Sequence, residues 1–177
     1  MVMNKNLEKL YSIIQENLIF TEKEICETCP ILCSREQKWH WLLPEEAERL
    51  KNKMKIENKF GAFFFEGGRC PLLKNRNCSI YKDRPLECRL SPLALYYING
   101  KLFWIIDIGC PYFKKYKDNK AFWNKVNDFI SKIEPYFTEK IVKNLIEISN
   151  AIQKFAPLIE NKDFIKIREF KFAGSPT

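Results

Sequence analysis

The chain has 177 residues, 46% hydrophobic and 29% charged, with a formal net charge of +8. This balance excludes a disordered chain and supplies enough apolar side chain for a core. No stretch approaches the roughly 20 apolar residues of a membrane helix, and the opening MVMNKNLEKLYSIIQENL carries lysine and glutamate where a signal peptide has its apolar centre, so a cytoplasmic protein with no membrane partner is expected.

The charge is uneven. Residues 1–60 are neutral overall, 61–113 carry +3 and 114–177 carry +5. The C-terminal excess is spread along helical segments, as on a solvated face, and no nucleic-acid-binding motif accompanies it. Nucleic acid is therefore not an expected partner, whereas a protein partner remains open.

Residues 4–19 place Leu7, Leu10, Tyr11, Ile14 and Leu18 at helical spacing. A cysteine-bearing turn segment follows over 26–38. Pro44 opens PEEAERLKNKM, with acids in the first turn and lysines later, a helix start. KFGAFFF, residues 59–65, reads as a strand. Residues 66–92 lack periodicity and are rich in turn formers, including Gly67, Gly68, Pro71, Pro85 and Pro92. So long an irregular stretch inside a compact domain calls for something that holds it.

Asn99-Gly100 between two apolar-aromatic runs predicts a β-hairpin. After Cys110-Pro111 the pattern turns helical. Phe122, Val126, Phe129, Ile130 and Ile133 form one stripe, and Ile141, Val142, Leu145, Ile148, Ile152 and Phe155 form a second. FIKIREFKF, residues 164–172, suits a short strand or a tail. The expected fold is α+β, a mainly helical single domain with a short β-hairpin and a cysteine-rich metal-binding loop region. Residues 20–113 form the metal-binding part and 114–177 the helical C-terminal part.

All seven cysteines lie between positions 26 and 110. An odd number cannot pair completely, and a reducing compartment disfavours disulfides. Cys26-x2-Cys29-x3-Cys33 sits on a turn, where short loops let sulfurs converge at small closure cost. A CxxC pair also suits a redox dithiol, but the βαβ context of a thioredoxin-like motif is not visible. The second group is Cys70, Cys78, Cys88 and Cys110, two of them followed by proline. All seven are candidate metal ligands, and Cys110, after an apolar strand, also suits a buried structural role.

Ligation would supply the folding free energy that residues 66–92 lack. Four thiolates on Zn²⁺ or on a [4Fe–4S]²⁺ cluster leave a net charge of about −2. Such a charge calls for donors and cations nearby. Arg84 and Arg89 are the expected partners, with Tyr81 beside them, while Lys74, Arg76 and Lys82 read as solvent-facing. His40, the sole histidine, lies between Trp39 and Trp41. It could stand in for a missing ligand, but its aromatic setting favours a structural role, so it is left out of the ligand set. Glu45, Glu46 and Asp107 read as surface or cap acids.

The run C-x2-C…C, then RCPLL…CSIYKDRPLECRLSP, then GCP resembles the CxxCxxCC cysteine-cluster family of zinc- or iron-chelating proteins. The most specific part is Cys78 to Arg89. The family's opening block ends in adjacent cysteines, and here Leu32 holds the first of those places, leaving Cys33. The flagellin lysine N-methylases resemble the family in the cysteine motif, which implies an iron–sulfur centre and, further off, methyl-transfer chemistry.

The dispersed spacings after Cys33 suit a cluster gathered from several loops better than zinc knuckles, so a [4Fe–4S] cluster is expected, with zinc as the alternative. The loop spacing of radical S-adenosylmethionine enzymes is absent, as are a Ser-His-Asp set and a phosphate-cradling glycine loop. The expected function is that of a metal-binding cysteine-cluster protein with a redox or iron–sulfur-dependent role. The alternatives are a zinc-dependent, partner-binding structural module and a protein lysine methyltransferase-like enzyme.

Overall fold

The computed structural model of the protein describes residues 5–19, 39–66, 72–74, 77–155 and 164–172. The apolar stripe at the N-terminus forms α1 (Lys5–Glu16), which buries Leu7, Leu10, Tyr11 and Ile14. Burying each such aliphatic side chain stabilises by about 1.5–3 kcal/mol, which makes this stripe the helix's main anchor.

Next come β1 (Trp39–Leu42) and α2 (Pro44–Leu50), the latter opened by Pro44 as expected. The run read as one strand over 59–65 is instead broken by a turn. β2 (Glu57–Lys59) ends at Phe60-Gly61, and β3 begins at Ala62 and runs to Glu66. Phe60 and Gly61 both have positive φ, 54° and 87°. That is the geometry of a two-residue hairpin turn, with Phe60 in a place where asparagine is usual. The sequence therefore gave no turn signal beyond the glycine. Strands β1 and β2 flank β3 in an antiparallel sheet, in which His40 stands opposite Phe65 and Trp41 opposite Phe64.

The described part of the irregular region contains a small hairpin, β4 (Leu73–Lys74) with β5 (Asn77–Cys78), a 3-10 turn over Tyr81–Asp83, and α3 (Leu86–Leu90). This short helix was not anticipated. Its Leu86 and Leu90 are buried in the main core, so apolar packing holds residues 86–90.

Asn99 and Gly100, at φ 49° and 84°, make the predicted hairpin between β6 (Leu93–Ile98) and β7 (Lys101–Asp107). The C-terminal FIKIREFKF run supplies β8 (Phe164–Glu169), antiparallel to β7, so the expected hairpin is part of a three-stranded sheet. Two three-stranded sheets therefore share the structure with the helices. The architecture is consistent with the α+β class, and the mainly helical description is supported in part, since two small sheets accompany the helices.

The remaining helices among the described residues are α4 (Pro111–Tyr116), α5 (Lys120–Ile133) and α6 (Glu139–Phe155). Asn119 caps α5 by accepting from Ala121 N–H at 2.8 Å. The five predicted stripe residues of α5 are all buried. On α6, Ile141, Leu145 and Ile148 are buried, and the helix packs on β6 and β3. Trp104 is fully buried, meets Phe137 edge to face at 5.7 Å and donates to Glu134 at 2.7 Å.

Candidate metal centre

Of the seven candidate ligands, Cys26, Cys29, Cys33 and Cys70 lie outside the described residues. Cys78 ends β5 opposite Leu73, Cys88 sits in the middle of α3, and Cys110 flanks the start of α4. All three are half-buried. Cys110 packs against the main core. Among the described residues, no three His, Cys, Asp or Glu side chains come close enough together to hold a metal ion. The described thiols have the right donor chemistry, but they do not by themselves make a complete site.

What the structure does build is a hydrogen-bonded support for the Lys82–Arg89 stretch. Three successive backbone carbonyls, those of Lys82, Asp83 and Arg84, each accept from a guanidinium. Arg89 donates through Nη2 to Lys82 O and through Nε to Arg84 O at 2.7 Å, and Arg49 donates through Nη2 to Asp83 O at 2.7 Å. Arg89 is buried, and its guanidinium lies over the Tyr11 ring at 4.2 Å. Arg89 thus spends these donors on the chain beside Cys88. Burial lowers its pKa from the ordinary value.

Arg84 is placed differently. Its guanidinium stacks on the Tyr81 ring at 4.0 Å, with Tyr81 itself exposed. Its Nε is buried and finds no hydrogen-bond acceptor among the described residues. A buried, unsatisfied donor costs free energy, about 1–3 kcal/mol, so an acceptor supplied by a bound group would be matched to it. Lys82 is exposed, as expected.

Glu46 is the residue the sequence reading missed. It does cap α2, accepting from Leu43 N–H at 2.8 Å, but it is fully buried rather than at the surface. It also accepts from Leu86 N–H at 2.6 Å and from the Tyr11 hydroxyl. One carboxylate thereby ties α1, α2 and the first turn of α3. Burial outweighs these hydrogen bonds and raises the Glu46 pKa, and burial next to Glu46 raises that of Tyr11. Glu45 and Asp107 behave as anticipated: Glu45 pairs with Lys140, and Asp107 accepts from Gly109 N–H at 2.7 Å in a turn.

On the other side of α3, Glu87 reaches β1. Its Oε2 accepts from Trp41 N–H at 2.9 Å and lies 3.3 Å from His40 Nδ1. The His40 ring is buried and stacks on Phe65 at 4.8 Å. Cys88 therefore lies between two anchored neighbours, Glu87 held to β1 and Arg89 held to α1 and the preceding turn.

Residues 25–127, more than half of the chain, match the family described as "Putative zinc- or iron-chelating domain", CxxCxxCC. The chain belongs to this family. Membership supports a metal-binding role for the cysteine cluster, with zinc or iron as the metal. An uncharacterized protein of Methanocaldococcus jannaschii is 42% identical over 64 residues, covering 34% of this chain and 35% of that protein. The chain thus spans about a third of that relative's length. No solved structure matches the chain. Among the described residues, no helix is long and apolar enough to cross a membrane.

Proposed function

We propose that the protein binds a [4Fe–4S] cluster through Cys70, Cys78, Cys88 and Cys110 and serves a redox or iron–sulfur-dependent role in the cytoplasm. Four cysteine thiolates are the usual ligand set of such a cluster, and these four are dispersed along the chain as a cluster gathered from loops requires. When bound, the cluster supplies one-electron chemistry. The chain's own contribution is to hold Cys88 rigidly, through Glu87 and Arg89, and to offer a cation and a buried N–H at Arg84. Zinc at the same thiolates is the alternative, and it would make the protein a structural, partner-binding module. Methyl transfer of the kind implied by the likeness to flagellin lysine N-methylases rests on the cysteine motif alone.

The observation that carries this reading, beyond family membership, is the buried Arg84 Nε, four residues before Cys88 and without an acceptor among the described residues. A sulfur ligand of the centre would accept that hydrogen bond and be stabilised by the charge. In a timed chelator challenge, Arg84→Ala should lose its metal about tenfold faster than Arg76→Ala. Equal retention in the two variants would assign Arg84 to solvent and remove this support.

A further inference from the structure

The turn that joins β2 to β3 holds Phe60 and Gly61 between the paired residues Lys59 and Ala62. A two-residue turn with positive φ at both positions favours asparagine followed by glycine. Phe60, at φ 54°, puts an aromatic residue in a backbone region that costs a bulky side chain free energy. Its side chain is also 60% exposed, the highest value for a large apolar residue among the described residues. Conformation and exposure both count against phenylalanine at this point of a lone chain. Lys154 of α6 places its Nζ 5.4 Å from the ring centroid, so a cation stands beside the exposed aromatic.

Next to this tip is an open groove of about 240 Å³ between α2 and the β2–β3 hairpin. Pro44, Ala47, Ile56 and Phe63 give it an apolar lining, and Glu48 and Lys51, exposed and paired with each other, stand at its edge. A cavity of about 150 Å³ already accepts a benzene ring, so the groove has room for a phenylalanine side chain. Phe60 of the same chain lies outside the groove's lining. A projecting ring and an apolar groove therefore share one hairpin, only a few residues apart.

We propose that this hairpin is a self-association surface, in which Phe60 of each copy fills the groove between α2 and the hairpin of a second copy. In a two-fold dimer every contact occurs twice, residue i of one copy on residue j of the other and the reverse. A surface that carries both ring and groove is complementary to itself in that symmetry. The charges agree. Lys59 precedes the ring and Lys154 lies beside it, whereas Glu48 stands at the groove. Insertion of a tip brings Lys59 of one copy toward Glu48 of the other, and the two-fold axis repeats the pair. An anionic lipid surface or an acidic protein would meet Glu48 and Glu57 along with these lysines, so the mixed signs favour a second copy. The proposal is independent of the metal centre.

Sedimentation equilibrium of the full chain, kept reduced and free of oxygen, reads the association directly. The average mass should rise with concentration, from that of one chain toward that of two, over the micromolar to millimolar range of a small interface. Phe60→Asn, which suits the turn better, should keep the wild-type circular dichroism, melt no lower than the wild type and associate at least about tenfold more weakly. Glu48→Lys and Lys59→Glu should each weaken association about fivefold, and the double variant should recover most of the loss. Within one chain Glu48 pairs with Lys51 and Lys59 with Glu57, so recovery in the double variant reports a contact between copies. The mass of one chain at every concentration, association unchanged by Phe60→Asn, or no recovery in the double variant would overturn the proposal. A chain that stays single yet binds phosphatidylglycerol vesicles through Phe60 would overturn it as well and assign the tip to a lipid surface.

Discussion

Glu46 and Glu134 are both buried, and each collects donors from distant parts of the chain, but what surrounds them differs. Glu134, in the turn after α5, accepts from Trp104 Nε1 at 2.7 Å and from the Arg168 guanidinium. It joins β7 and β8 to the helices, and its charge is met by a cation whose side chain remains 30% exposed. Glu46, under α3, has as its described partners a phenol and two backbone amides. Dipoles aimed at a buried carboxylate fix direction and distance more narrowly than a partly solvated ion pair does. The tighter arrangement lies beneath the helix that carries Cys88, a ligand in the proposed centre, and the looser one lies in the C-terminal scaffold.

Removing each carboxylate should expose the contrast. Glu46→Ala leaves the Tyr11 hydroxyl and two amides buried without their acceptor. At about 1–3 kcal/mol for each buried group left unsatisfied, the loss in urea unfolding should be about 3–5 kcal/mol, and metal should be retained less well. Glu134→Ala strands the Trp104 N–H, while Arg168 can turn to water. We expect a loss of about 2 kcal/mol and no change in metal content. Equal losses in the two variants, or normal metal retention in Glu46→Ala, would abolish the distinction.

A smaller effect comes from pH. Burial raises the folded-state pKa of Glu46 above the ordinary carboxylate value of 4.5. Between the two values the folded state holds the proton more tightly than the unfolded state does. Stability from this group is therefore fully present below the ordinary value and is lost as pH rises through the raised one, with a slope of up to about 1.4 kcal/mol per pH unit. Subtracting the unfolding free energy of Glu46→Gln from that of the wild type between pH 5 and 8 isolates it. The difference should fall with rising pH, and a rise would place the Glu46 pKa below its ordinary value.

How much of this was legible depended on the range of the interactions. The helical stripes of α1 and α5 and the Asn99-Gly100 hairpin are local patterns, and the sequence displays them directly. The turn at Phe60-Gly61 was hidden because an aromatic residue occupies a left-handed position, so the run looked like one strand. Glu46 looked like an ordinary acid in the first turn of a helix. Its burial depends on Tyr11, 35 residues earlier, and Leu86, 40 residues later. Arg89 stands beside a cysteine in the sequence, yet its Nε and Nη2 serve the backbone carbonyls of Arg84 and Lys82. The sequence suggested that an arginine mattered there, and only the fold shows what it holds. The α3 helix escaped notice because five residues are too few to establish a period.

In the proposed function the cysteine cluster holds an iron–sulfur centre on a support built around Cys88. Purification without oxygen, followed by iron, zinc and acid-labile sulfide analysis of the wild type and of Cys88→Ser, tests it most directly. The wild-type protein should be brown, absorb toward the blue end of the visible range and contain iron with sulfide, and Cys88→Ser should lose most of that absorbance, because serine offers an oxygen to a site whose softness favours sulfur. A colourless wild type without iron or sulfide, its metal content unchanged by Cys88→Ser, would contradict it.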